Sequence, residues 1–106
     1  MIYNSLIPPR PYKAINLFGV IFVRKGAVMM VADCNHEHIH TAQMRELLYV
    51  GFYILYVAFF LVLLLAEKGK WHAAYRANPF EMEAYDYQGD IRYLEHRKKF
   101  SWKKYV

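Results

Sequence analysis

Cysteine is nearly absent from this chain of 106 residues: Cys34 stands alone. No internal disulfide can form, and both a cysteine-only zinc site and a disulfide-stapled secreted mini-domain are excluded. Proline is scarce, and three of the four, Pro8, Pro9 and Pro11, sit within the first twelve residues. No internal repeat or low-complexity tract is present. Charged residues make up only 22 % against 57 % hydrophobic ones, which excludes an intrinsically disordered chain and leans towards a membrane-associated one. Acidic residues are the minority, 9 against 14 Lys+Arg, for a net charge of +5. Taken alone, that balance suits an anionic membrane surface or nucleic acid. The length leaves room for one domain.

Ionisable side chains other than tyrosine are missing altogether from Leu47 to Ala66. As one unbroken helix this stretch would reach about 30 Å, the thickness of a bilayer core. It lies too deep in the chain and is too long to be a secretory signal. A domain of this size can hardly wrap such a helix on all sides, so residues 47–66 are expected to contact membrane. Residues 1–14 read as an extended arm. Residues 15–32, rich in Val, Ile and Phe around Arg24-Lys25-Gly26, read as a β-hairpin turning at that tripeptide. Asp33 offers a helix N-cap, and residues 33–46 read as a helix running into the apolar one. Residues 67–106 hold a break at Glu67–Lys70, a helix opening at Asn78-Pro79, and a basic tail. The fold class is α+β, mainly helical.

The chemistry lies in Asn35-His36-Glu37-His38-Ile39-His40-Thr41-Ala42-Gln43. His36, Glu37 and His40 satisfy H-E-x-x-H. On a helix, positions i and i+4 are only about 40° apart, so both imidazoles can reach one tetrahedral zinc at about 2.0–2.1 Å. The glutamate between them can take a proton from a water on that metal. His38, about 200° around the helix from His36, points away. A catalytic zinc wants a third protein ligand, and carboxylates are the candidates: Glu81 and Glu83, about 160° apart on one helix, so that only one can serve.

The combination N-H-E-x-I-H-x-x-Q, an aromatic-rich apolar helix, W-H-x-A-Y-R and F-E-x-E-A-Y resembles a family of very short, membrane-associated bacterial gluzincin-like zinc metallopeptidases. The likeness runs from about Leu17 onward. It implies two histidine ligands and a downstream glutamate, set in an E-x-x-x-D pattern with Ala before the Asp. Laid on this sequence the pattern selects Glu81, with Ala84 in place, and leaves Glu83 second. Tyr85 stands where the Asp would be, so Glu83 or Asp86 is expected to support a ligand histidine instead. By the same likeness Tyr75, Arg76, Tyr85 and His72 are candidates for stabilising an oxyanion. Asn35 and Gln43 are expected to cap the helix and hold the ligands by hydrogen bonds.

Zinc at His36, His40 and Glu81, with Glu37 as general base, makes the expected activity hydrolysis of a peptide or protein substrate. If residues 47–66 crossed a bilayer as a straight helix, His40 and Glu81 would lie on opposite sides and could share no metal. Five basic residues precede Leu47 and nine follow Ala66, so both termini and the site are expected on the cytoplasmic face. A bend near Gly51, with the helix lying in or dipping into one leaflet, reconciles these demands. The alternative is a small non-catalytic integral-membrane interaction protein, or a complex subunit, with at most a structural metal. A nucleic-acid binder using the tail, with Phe100, Trp102 and Tyr105 interleaved, is disfavoured by the twenty apolar residues, and no nucleic-acid partner is expected.

Overall fold

The computed structural model describes residues 1–8 and 12–106. The chain is α+β and mainly helical, with a small N-terminal sheet and five α-helices. The sheet holds β1 (Ile2–Asn4), β2 (Ala14–Leu17) and β3 (Val20–Arg24) in the order β1-β3-β2. Strand β1 runs parallel to β3, pairing Ile2 with Phe22, and β2 runs antiparallel to it, pairing Leu17 with Val20. The expected arm therefore begins as a strand; its Pro9 and Pro11 lie outside the described residues.

The hairpin is shorter than its hydrophobic run suggested and turns at Phe18-Gly19 rather than Arg24-Lys25-Gly26. Both turn residues have positive φ, 53° and 89°, the conformation that suits the twist of a two-residue hairpin. Glycine adopts it freely. Phe18 is held there because its N–H donates to the Tyr53 hydroxyl at 3.0 Å and its ring packs on the Tyr53 ring at 4.9 Å. Asn16 Oδ1 closes the turn by accepting from Gly19 N–H. Residues 28–30 pair with no strand and lead into the first helix.

Helix α1 spans Val31–Glu46 and α2 spans Val50–Ala66. Asp33 does not cap α1 from outside. It stands one turn in, where its carboxylate accepts from Met30 N–H and from Lys13 Nζ, so the acid still satisfies a free donor of the helix start. The chain bends by 109° between the two helices, and among the described residues no single helix is long and apolar enough to cross a membrane. The bend falls at Leu47–Tyr49, not at Gly51. Leu48 and Tyr49 take positive φ, 55° and 62°, and Tyr49 N–H reaches back to Met44 C=O at 2.7 Å. Such backbone costs about 1–2 kcal/mol per residue. Packing of Leu47 and of Tyr49 itself against the cluster of Met44, Phe52, Phe80 and Trp102 offsets it.

Helix α2 is two-faced although nearly every residue is apolar. Phe52, Leu55, Tyr56 and Phe59 pack on the core, while Ile54, Val57, Leu61 and Leu65 form an exposed row, 65 %, 52 %, 54 % and 83 % accessible. Helices α3 (Trp71–Ala77), α4 (Pro79–Tyr87) and α5 (Tyr93–His96) and a 3-10 helix (Ser101–Tyr105) complete the chain. Asn78 sets the α3–α4 corner: its Oδ1 caps α4 by accepting from Phe80 N–H, and its Nδ2 donates to Tyr56 C=O on α2.

The C-terminal region is not simply a solvated basic tail. Trp102 is buried in the core, and Arg97 lies between two carboxylates, Glu46 at the end of α1 and Glu83 on α4. Glu46 also accepts from Phe100 N–H, so the end of α1 is fastened to the C-terminal segment.

Candidate metal centre

Three buried side chains converge where α1 meets α4. His36 and His40, one helical turn apart, present Nε2 atoms 3.1 Å from each other. Glu81 Oε1 lies 3.1 Å from His36 Nε2 and 3.0 Å from His40 Nε2. A tetrahedral ion with ligands at about 2.0–2.1 Å holds them about 3.3–3.4 Å apart. The triangle needs to open by only a few tenths of an ångström to accept one. Among the described residues this group could hold a metal ion. Glu81 sits in the first turn of α4, where the positive end of the helix dipole favours a carboxylate. Its other oxygen, Oε2, accepts from Tyr56 O–H at 2.6 Å, which leaves Oε1 for the triangle.

Hydrogen bonding behind the triangle fixes which atoms face it. Glu83 accepts from Tyr93 O–H at 2.6 Å, from Arg97 Nε at 2.6 Å and Nη2 at 3.0 Å, and from Gln43 Nε2 at 3.0 Å. Burial would raise its pKa, but the hydrogen bonds from Arg97 and Gln43 hold it below the usual range, so it stays a carboxylate. The Gln43 amide nitrogen is committed to Glu83 and to Phe80 C=O, so its oxygen must face His40 Nδ1, at 2.8 Å. Nδ1 is therefore the donor, and the Nε2 lone pair points at Glu81 and His36. His36 Nδ1 lies 2.8 Å from Gln88 Oε1, and donating to it leaves the His36 Nε2 lone pair for the triangle.

Two imidazole lone pairs and a carboxylate oxygen thus face one point, an arrangement that a cation satisfies well. Without a metal, a proton does so. Burial alone would lower the pKa of His40, but the charge and hydrogen bond of Glu81 raise it to about 9. Burial would raise that of Glu81, and His40 with His36 pulls it well below the carboxylate range instead.

Glu37 borders the triangle without joining it. It lines two cavities that share His36 in their lining, one of about 430 Å³ and one of about 150 Å³. Burial pushes its pKa up, with the neighbouring histidines opposing. Asn16 Nδ2 donates to the Glu37 carbonyl at 2.8 Å and to Thr41 Oγ1 at 2.7 Å, which ties β2 to this turn of α1.

The other expected residues are spread around this centre. Gln43 holds His40, while Asn35 donates to the carbonyls of Tyr87, Gln88 and Asp90 and so pins the end of α4 to α1. Glu83 faces Arg97 and Gln43 rather than the histidines: it supports a ligand histidine, and its oxygens are taken. Asp86 is exposed and accepts from Tyr105 O–H. Tyr75 lines both cavities, its hydroxyl 3.3 Å from that of Tyr85. Tyr85 lines the smaller cavity and packs edge-on against His36 at 4.5 Å. Arg76 stacks over the Tyr85 ring at 3.7 Å, and His72 is exposed; neither lines these two cavities. His38 is exposed.

Sequence reasoning missed Gln88, Tyr56 and Arg97. Only Tyr56 left a trace, as one of three tyrosine hydroxyls, with Tyr49 and Tyr53, inside an otherwise apolar run. No protein-family model matches the chain, and neither a curated protein nor a solved structure matches it.

Proposed function

We propose that this protein is a membrane-associated, zinc-dependent metallopeptidase of gluzincin type, with His36, His40 and Glu81 as metal ligands. The observation that carries the reading is the buried two-nitrogen, one-oxygen triangle with a separate carboxylate, Glu37, at its rim. That donor set suits zinc and leaves a fourth position for water or substrate. A zinc ion there would polarise a carbonyl oxygen and lower the pKa of a bound water to roughly 7.

The protein supplies the rest. Glu37 forms no side-chain hydrogen bond or ion pair among the described residues and opens to both cavities, so it is free to receive the attacking water's proton. It returns that proton to the leaving amine. Its raised pKa makes it a better base than an exposed glutamate. Tyr75, whose hydroxyl Tyr85 holds, is the donor available to the oxyanion. The exposed apolar row of α2, ending beside Lys68, Lys70 and Trp71, supports contact with the surface of an anionic membrane. The excess of basic residues on both flanks supports a cytoplasmic site.

The test is metal analysis beside a peptidase assay. Wild-type protein is expected to hold one zinc and to cleave peptides, while Glu37→Gln keeps the zinc and loses cleavage. Loss of zinc and activity together in that variant would make Glu37 a ligand or a structural group. The unpartnered face of α2 also favours a second reading, a membrane interaction protein with a structural metal. Full zinc occupancy without hydrolysis by the wild type would select it.

A further inference from the structure

The two cavities beside Glu37 differ in chemistry. The larger, about 430 Å³, falls in the size range of small-ligand sites. His40 and Glu81 are among the residues that line it, and most of the lining is apolar, Leu17, Met44, Phe52, Val57, Phe60 and Trp71 included. The smaller, about 150 Å³, is polar and is lined by Lys13, Asp33, Tyr85 and Gln88. Tyr12, Ala14, His36, Glu37 and Tyr75 border both, so Glu37 stands where the two cavities adjoin. The apolar cavity is also continuous with the outer surface of α2. Val57 and Trp71, two of its walls, are 52 % and 55 % exposed, and Val57 belongs to the outward row of Ile54, Leu61 and Leu65.

From this asymmetry we propose a substrate class: a polypeptide held at the junction between an apolar, membrane-embedded segment and its polar flank. The apolar end enters the larger cavity from the lipid side, the polar end lies in the smaller one, and the bond between them crosses Glu37. The inference rests on the peptidase reading for its chemistry. Water adds across the C–N bond, its hydroxyl going to the acyl carbon and its proton, by way of Glu37, to the amine. Recognition itself needs only the cavities.

Binding is therefore measured apart from cleavage. Zinc-loaded Glu37→Gln protein in nonionic detergent is titrated into two fluorescein-labelled peptides of equal length. One is half leucine-rich and half Ser/Gln-rich, and the other is Ser/Gln-rich throughout. The junction peptide is expected to bind at least tenfold tighter by anisotropy. Adding Val57→Arg, which sets a charge at an exposed part of the apolar wall, is expected to erase that preference while zinc stoichiometry and circular dichroism stay unchanged. Phe60→Ala serves as the second variant should the arginine disturb folding, with a partial loss expected. Equal binding of both peptides, or a preference that neither variant alters, would overturn the proposal. So would displacement of the junction peptide by equimolar oleate, which would make the cavity a lipid site. A clear preference without cleavage by the wild type would instead sink the peptidase reading and leave the binding site standing.

Discussion

Arg97→Met is the sharpest test of how the metal centre is held. The guanidinium donates through Nε and Nη2 to Glu83 and through Nη1 and Nη2 to Glu46, at 2.6, 3.0, 3.0 and 2.9 Å. The Arg97, Glu46 and Glu83 side chains are 6 %, 10 % and 0 % exposed. Methionine fills the space but leaves two buried carboxylates without their cation. Breaking a buried pair in this way costs about 3–5 kcal/mol. In a domain of this size that lowers the melting temperature by on the order of 15–30 °C. The damage reaches the metal as well. With Arg97 gone Glu83 takes up a proton, its hold on the Gln43 amide slackens, and His40 loses the partner that fixes its donor nitrogen. Losses behind a metal ligand of this kind cost about 10- to 100-fold in affinity. Arg97→Lys keeps the charge without the fork and is expected to fall between. Urea denaturation with chelator and with excess zinc reads the first effect, and competition against a chromogenic chelator reads the second. A methionine variant within about 1 kcal/mol of wild type, with unchanged zinc affinity, would refute the reasoning.

Two further outcomes follow from the same geometry. Replacing His36 or His40 with Ala should strip the metal while His38→Ala should not, since His38 is exposed and on the opposite face; metal analysis of the three variants decides this. In metal-free protein the His40 pKa stands at about 9, above its usual 6.5, so its proton stabilises the fold fully below pH 6.5 and that contribution is lost as pH rises through 9. A metal ion held by His40 would have to displace this proton at neutral pH, so zinc affinity should climb about tenfold per pH unit from 7 to 9 and then level; a flat profile in chelator competition would show His40 to be neutral.

The parts of the site that repeat with the helix were legible in the sequence. His36, Glu37 and His40 follow from i, i+4 spacing alone, and α1 places them so. Glu81 over Glu83 came from the likeness in pattern, because helical angles say only that one of the two turns inward. What escaped was held by long-range partners. Arg97 reads as one more cation in a basic run, for its carboxylates lie 51 and 14 residues away. Phe18 gives no turn signal, since the tyrosine that keeps it at positive φ belongs to α2. The bend at Leu48-Tyr49 is hidden for the same reason: neither residue favours that backbone, and the packing of α1 and α2 on one core imposes it.

The angle between α1 and α2 also acts as a ruler. His40 stands seven residues before Leu47, so the metal group lies roughly 10 Å from the bend along α1. Were α2 to rest flat in a membrane surface with α1 on its outer side, the 109° bend would let α1 stand up to about 70° above that surface. An extended polypeptide covers the same distance in about three residues. The scissile bond would then be chosen by counting outward from the edge of the hydrocarbon rather than by reading a side chain.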